Sequence, residues 1–262
     1  MKAAKTGSGL SVTYLGHASA LINLDGRYVL TDPNLNPRLG LARRRNHPGP
    51  AWESLSAIDL VIISHAHLDH LDKFTLRKLA RTTLFLVPPG VGITIKRLGF
   101  ENVTELELWQ TISAGGLQVT AVPAKHWGAR FILDIWRGCC GFVLKADAGQ
   151  VYFAGDTDYF PGFKEIGKRF NLDIALLPIG TYSPRLLLDR YHLNPEEAIQ
   201  AFADLNARYM VPIHWGTFRL SAEPLDEPLA WLKSLARSNG LQERILILEP
   251  GQTSDRASAC YK

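Results

Sequence analysis

Cysteine is scarce in this chain of 262 residues, which has three, at Cys139, Cys140 and Cys260. An odd set with two members adjacent gives neither a disulfide framework nor the paired spacing of a zinc ribbon, and it fits a reducing compartment. Long apolar runs are missing as well. Nowhere do the ~18 uninterrupted apolar residues of a membrane span occur, and the opening MKAAKTGSGLSV has lysines with no apolar segment behind them. The expectation is a cytoplasmic protein, neither secreted nor membrane-spanning, for which peripheral membrane contact stays open. There is no low-complexity or glycine-rich tract to argue disorder. Neither sign of charge dominates: the formal net charge of +4 favours anionic partners but is mild for a nucleic-acid binder, so nucleic acid is not an expected partner.

What remains is a composition close to globular averages, with 46% hydrophobic and 21% charged residues, and enough length for a full core. No linker divides the chain, and residues 1–262 read as one domain. The oligomeric state is not legible. One basic cluster, Arg43-Arg44-Arg45, precedes a stretch rich in proline and glycine and is expected on a loop. It reads either as a solvated charge run or as an anion-steering rim.

Short β-rich runs open the chain at Leu10 to Leu15, Ala20 to Leu24 and Tyr28 to Thr31, and Asp25-Gly26 is a hairpin signal between the last two. These predict an antiparallel N-terminal sheet. The apolar run Leu60 to Ile63 precedes a helical pattern from Lys73 to Arg81 with Asp72 as N-cap. A second block of strands spans Leu117 to Ala154 and is followed by a helix from about Phe163 to Phe170. Ile174 to Leu177, Met210 to Ile213 and Ile245 to Leu248 read as further strands. Helices are expected from Pro195 to Ala207, capped by Asn194, and over roughly Leu229 to Arg237. Two blocks of strands, each followed by helices, predict an α/β (α+β) protein built as a four-layer αββα sandwich.

Eight histidines are present, and three fall within six residues in Ser64-His65-Ala66-His67-Leu68-Asp69-His70, directly after an apolar strand. Imidazole and carboxylate suit zinc and related divalent ions, and a loop at a strand end can aim several side chains inward. The pattern H-x-H-x-D-H resembles the signature of the metallo-β-lactamase superfamily. That resemblance implies three more ligands, matched by His126 in Pro123-Ala124-Lys125-His126-Trp127, Asp156 in Gly155-Asp156-Thr157 and His214 in Pro212-Ile213-His214-Trp215-Gly216. Carried over by position, His65, His67 and His126 hold one metal, Asp69, His70 and His214 the other, and Asp156 bridges. Zinc fits best, with Mn2+ and Fe2+ as alternatives. Oxygen-reducing di-iron relatives carry glutamate at the position of His67, so the resemblance implies hydrolysis by a hydroxide held between two metals, with Asp69 placed to orient it.

Two early residues also match family elements. Asp32 corresponds to an aspartate that supports a metal-bound histidine, though it reads equally as a turn residue before Pro33. His17, in Gly16-His17-Ala18-Ser19, resembles the family's G-H-[AS]-[ST] element, and we assign it a structural role.

Within the superfamily, Leu177-Pro178-Ile179-Gly180-Thr181-Tyr182-Ser183-Pro184-Arg185, His192-Leu193-Asn194-Pro195-Glu196-Glu197-Ala198, His214-Trp215-Gly216-Thr217-Phe218 and Pro123-x-x-His126-Trp127-x-x-Arg130 resemble the N-acylphosphatidylethanolamine-hydrolysing phospholipase D branch. Ala66 and Leu68 depart from it, standing where that branch often has asparagine and tyrosine. The resemblance implies a phosphodiesterase with a small-molecule or lipid-like anionic substrate. It implies a role for His192 on the substrate, outside the metal-ligand set. The apolar segment from Trp127 to Trp136 reads as core hairpin or as a wall beside the metals. A lactonase resembling ascorbate-6-phosphate lactonase is the alternative enzyme. A non-catalytic, metal-stabilised binding protein of the same fold should have lost a ligand, and none is missing.

Overall fold

The computed structural model describes residues 9–47, 58–130, 134, 136–184 and 191–254. The described chain begins with three strands that are buried over most of their length, as in a sheet covered on both faces: β1 (Leu10–Gly16), β2 (Ser19–Leu24) and β3 (Arg27–Thr31). The β2–β3 hairpin closes through Asp25 and Gly26, both at positive φ (53° and 78°), with Leu24 paired to Arg27. This is the two-residue turn that the Asp-Gly pair predicts. A small hairpin, β4 (Arg38–Leu39) and β5 (Ala42–Arg43), follows. Then β6 (Leu60–Ile62), β7 (Leu84–Val87) and β8 (Val103–Glu105) add in parallel to β3, giving a six-stranded sheet in the order β1-β2-β3-β6-β7-β8. The expected antiparallel sheet is therefore mixed.

The second sheet has six strands in the order β14-β13-β12-β11-β10-β9: β9 (Thr111–Ala114), β10 (Leu117–Val122), β11 (Gly141–Ala146), β12 (Gly149–Phe153), β13 (Ile174–Pro178) and β14 (Tyr209–Ile213). Its first four strands are antiparallel and its last two join in parallel. Between the sheets lies a core with Val12, Tyr14 and Ile62 from one side and Val119, Phe142 and Leu176 from the other. On the outer face of the second sheet pack α3 (Gly162–Arg169), α4 (Pro195–Leu205) and α5 (Glu227–Ser238). Outside the first sheet lie the short α1 (Lys73–Leu76) and α2 (Gly92–Lys96). The αββα sandwich is the observed architecture.

Two elements differ from expectation for identifiable reasons. α1 is capped by Asp72 as predicted but stops at Leu76. The chain continues in i→i+3 bonds, Lys78 N–H to Thr75 C=O and Leu79 N–H to Leu76 C=O (both 3.0 Å), which set Leu76 and Leu79 on the buried side before β7. Ile245 to Leu248 form no strand. Met210 N–H donates to Arg244 C=O and Leu246 N–H to Met210 C=O, making one parallel bridge at Ile245. The ladder's next donor would come from Pro212, which has no N–H.

Candidate metal centre

The centre is assembled at one end of the sandwich, where strands of both sheets run out into loops. The loop after β6 carries His65, His67, Asp69 and His70, and its first residue is anchored to the end of β3. Ser64 N–H donates to Asp32 Oδ1 (2.7 Å), and Ser64 Oγ lies 2.5 Å from Asp32 Oδ2. Asp32 is fully buried, and its Oδ2 also meets His70 Nδ1 at 2.6 Å. Asp32 thus fixes the ring of His70 and leaves Nε2 as the free nitrogen, the arrangement that outer carboxylates impose on metal-binding histidines. From the second sheet come His126 after β10, Asp156 after β12 and His214 after β14. Sequence distances of about sixty to one hundred and fifty residues are closed by the topology.

Two groups of donors form. In the first, His65 Nε2 and His126 Nε2 converge on His67 Nδ1 at 2.8 and 3.2 Å. His126 turns its other nitrogen, Nδ1, to the carbonyl of Tyr191 (2.9 Å). In the second, Asp69 Oδ2 stands 3.3 Å from His70 Nε2 and 3.4 Å from His214 Nε2. Asp156 lies between them: Oδ2 is 3.0 Å from His70 Nε2 and 4.0 Å from His65 Nε2, and Oδ1 is 3.3 Å from His214 Nε2. His192 joins the same pit, its Nδ1 3.7 Å from Asp156 Oδ2.

The electrostatics suit cation ligands. Burial pushes His126 down to about 3 and His192 to about 4, and takes His65 well below its usual value, so these rings present lone pairs at neutral pH. Burial disfavours charge on Asp156 and Asp69, but the surrounding histidines outweigh it and hold both carboxyls well below the usual range. Burial likewise opposes charge on His70, yet Asp156, Asp69 and Asp32 hold it well above the usual value, so this ring carries a proton into the pit that a bound cation would displace. Within the described residues, His70 Nε2, His214 Nε2, His192 Nδ1 and both oxygens of Asp156 are buried without a hydrogen-bond partner. They approach one another at 3.0–3.7 Å without hydrogen-bond geometry. Orphaned buried groups are costly and rare, and lone pairs that converge in this way fit a shared cation. Nitrogen and carboxylate donors are the set that zinc and related divalent ions take.

All seven sequence-predicted ligands and His192 meet in this pit. Three neighbours of the pit had no place in the site read from the sequence. His17, assigned a structural role, is buried with its Nε2 2.9 Å from Asp69 Oδ2 and belongs to a four-residue cluster with Asp69, His70 and His214. Arg130 clamps the ligand loop through bonds to the carbonyls of Ala66 (3.1 Å) and Leu71 (2.9 Å). Asn34 Nδ2 donates to the Asp69 carbonyl (2.9 Å). Signals for His17 and Arg130 were present in the family motifs, but for Asn34 there was none. Four of the chain's non-glycine residues at positive φ, His17, Asp32, Thr181 and His214, cluster here, which is where strain is tolerated for function.

Arg44 fits neither reading of the basic cluster. It is half-buried, bonded to the carbonyls of Leu15, Asn34 and Asn36 and to Asn46, with its guanidinium over Phe218. Arg43 and Arg45 are exposed, and Arg43 ends a strand of the β4–β5 hairpin. Trp127 is 46% exposed with its ring edge-on to His67, and Tyr191 is 40% exposed beside His126 and Trp127. Of the apolar segment, residues 131–133 and 135 lie outside the described residues, as does Arg185 of the branch motif. No helix among the described residues is long and apolar enough to cross a membrane.

A family model described as the beta-lactamase superfamily domain matches residues 27–215. An N-acyl-phosphatidylethanolamine-hydrolyzing phospholipase D of Caenorhabditis elegans is 33% identical over 87% of this chain and 70% of its own length. A UPF0173 metal-dependent hydrolase of Methanopyrus kandleri is 32% identical over 94% of this chain and its whole length. Among solved structures, a metallo hydrolase of Ignicoccus hospitalis superposes with a TM-score of 0.68 at 26% identity, covering 94% of this chain and 97% of the other.

Proposed function

The chain belongs to the β-lactamase superfamily, and from that premise we propose that it is a metal-dependent hydrolase holding two divalent ions, zinc before Mn2+ or Fe2+, and cleaving a phosphodiester. The observation that carries this reading is the convergence of unpartnered buried donors on one pit, with Asp156 between two donor groups. His65, His67 and His126 would hold one ion, Asp69, His70 and His214 the other, and Asp156 would serve both. Two such ions supply electrophilic polarisation of the ester and a hydroxide nucleophile at neutral pH.

The chain's own residues supply the rest. His192 is neutral at pH 7, its ring held down to about 4 by burial, so it keeps one ring N–H, whose role is to donate a hydrogen bond to a substrate oxygen as charge develops there. Arg130 keeps the ligand loop closed on the pit. Trp127 and Tyr191 form an aromatic lip beside His67 and His126, which supports a substrate with an apolar portion next to its anionic centre. The phosphodiester preference draws on the branch motifs and on the name of the worm relative.

A hydrolysis screen of the Zn2+-reconstituted protein on chromogenic phosphodiesters, lactones and N-acylated phospholipids tests this. Phosphodiester or phospholipid turnover is expected to exceed lactone turnover. A lactone preference would overturn the substrate assignment, and absence of bound metal after reconstitution would overturn the whole reading.

A further inference from the structure

The dinuclear reading leaves His17 unused, and we infer that His17 is the positioning residue that holds Asp69 ready for the second ion. The inference rests on that reading. His17 sits in the β1–β2 turn, follows Gly16 (φ 100°) and itself has φ 58°, a left-handed conformation in which a residue with a Cβ is strained. Glycine at 16 suits its φ of 100°, and a Cβ there would crowd the side-chain ends of Arg44 and Asn46 at 2.7 and 3.0 Å. Strain at 17 is held in place from both sides. The His17 N–H donates to Thr217 Oγ1 (2.8 Å), and its carbonyl accepts from the His214 N–H (2.8 Å). The backbone of His17 is thereby tied to the loop that carries His214.

The ring completes the tie. It packs 4.0 Å from the His214 ring and edge-on to Phe218, and its Nε2 reaches Asp69 Oδ2 at 2.9 Å. Since a carboxylate oxygen only accepts, Nε2–H is the donor. The oxygen it meets is the one that faces His70 and His214. A hydrogen bond to that oxygen fixes the Asp69 rotamer and links a ligand from the first sheet to one from the second. His17 Nε2 is satisfied by this bond, whereas His70 Nε2 and His214 Nε2, the other two ring nitrogens that face Asp69 Oδ2, are not. Among the described residues, its ring contacts are Asp69, His70, His214 and Phe218. None belongs to the His65, His67 and His126 group, so losing the bond should affect one ion and spare the other.

Two variants test this. H17N tolerates the left-handed backbone but is too short to reach Asp69. H17Q places an amide N–H near the position of Nε2. Zn2+ content per chain after dialysis, Zn2+ affinity by competition with a chromogenic chelator, and the melting temperature of the chelator-stripped protein are measured for both and for wild type. H17N is expected to keep one ion at wild-type affinity and to bind the second roughly 10- to 100-fold more weakly. H17Q should recover most of that loss, and the stripped proteins should melt together. Unchanged affinity for both ions in H17N would overturn the inference. So would a fall in stripped-protein melting temperature with metal content intact, or an H17Q as deficient as H17N, which would make His17 a direct ligand. Wild type that binds fewer than two ions would instead overturn the dinuclear reading.

Discussion

At the scale of single residues, the donors divide by what their second nitrogen or oxygen does. His70 and His126 each spend one nitrogen on the protein, on Asp32 and on the Tyr191 carbonyl, and keep the other for the pit. His192 has its Nδ1 unpartnered and 3.7 Å from Asp156, and its ring packs against that of His126. A lost ligand should cost metal and activity together, whereas a lost substrate donor should cost activity alone. H192A is therefore expected to keep two ions and its melting temperature while losing on the order of 10²-fold in kcat. Metal analysis alongside steady-state kinetics reads both quantities, and a parallel loss of one ion would move His192 into the ligand set. The seven residues that gather in the pit were legible in the sequence because four of them fall within six positions of the loop after β6 and the family resemblance pointed to the other three. Asn34 was not legible, because an asparagine that donates to one carbonyl has no pattern until the chain is folded.

At the scale of elements, the legible parts were those with local chemistry. Asp25-Gly26 makes its hairpin, and Asn194 makes a capping box with Glu197 at the start of α4. The parts that were missed depend on neighbours: the stop of α1 on the burial of Leu79, the single bridge at Ile245 on Pro212, and the parallel strands β7 and β8 on pairing across the sheet. Arg44 belongs with these. A run of three arginines looks uniform in sequence, yet the middle one ties the 34–36 loop to the end of β1 by bonds to Asn34, Asn36 and Leu15. The 34–36 loop also holds the Asp69 carbonyl through Asn34. R44Q strands several of these carbonyls and is expected to cost on the order of 1–3 kcal/mol, read as a lower denaturation midpoint. R43Q and R45Q should each stay within about 0.5 kcal/mol of wild type. If those two residues steer an anionic substrate, the double variant R43Q/R45Q will lower kcat/KM more at low salt than at high salt. A salt dependence equal to wild type would return them to solvated surface.

At the scale of the whole molecule, the donors come from both layers of the sandwich: His65, His67, Asp69 and His70 from the first sheet, and His126, Asp156 and His214 from the second. Apolar packing between the sheets, with Phe142 and Phe153 fully buried, does not extend into this pit, where the buried groups are polar and several of their atoms are unpartnered. Ions seated there would join the sheets at the end where the apolar core gives out. Binding to the native state alone stabilises it by about 2.7 kcal/mol at a free concentration one hundred times Kd. For a chain of this size that corresponds to a rise of roughly 5–10 °C in melting temperature. Thermal unfolding of the chelator-stripped protein, followed with and without added Zn2+, is expected to differ by this amount. D156N replaces the carboxylate that faces both donor groups with a neutral amide, and it should lose most of the increment while its stripped form still folds. Equal melting temperatures with and without Zn2+ in wild type would mean that the pit does not bind the ion tightly enough to couple the sheets. A full increment in D156N would mean that the ions are held without the residue between them.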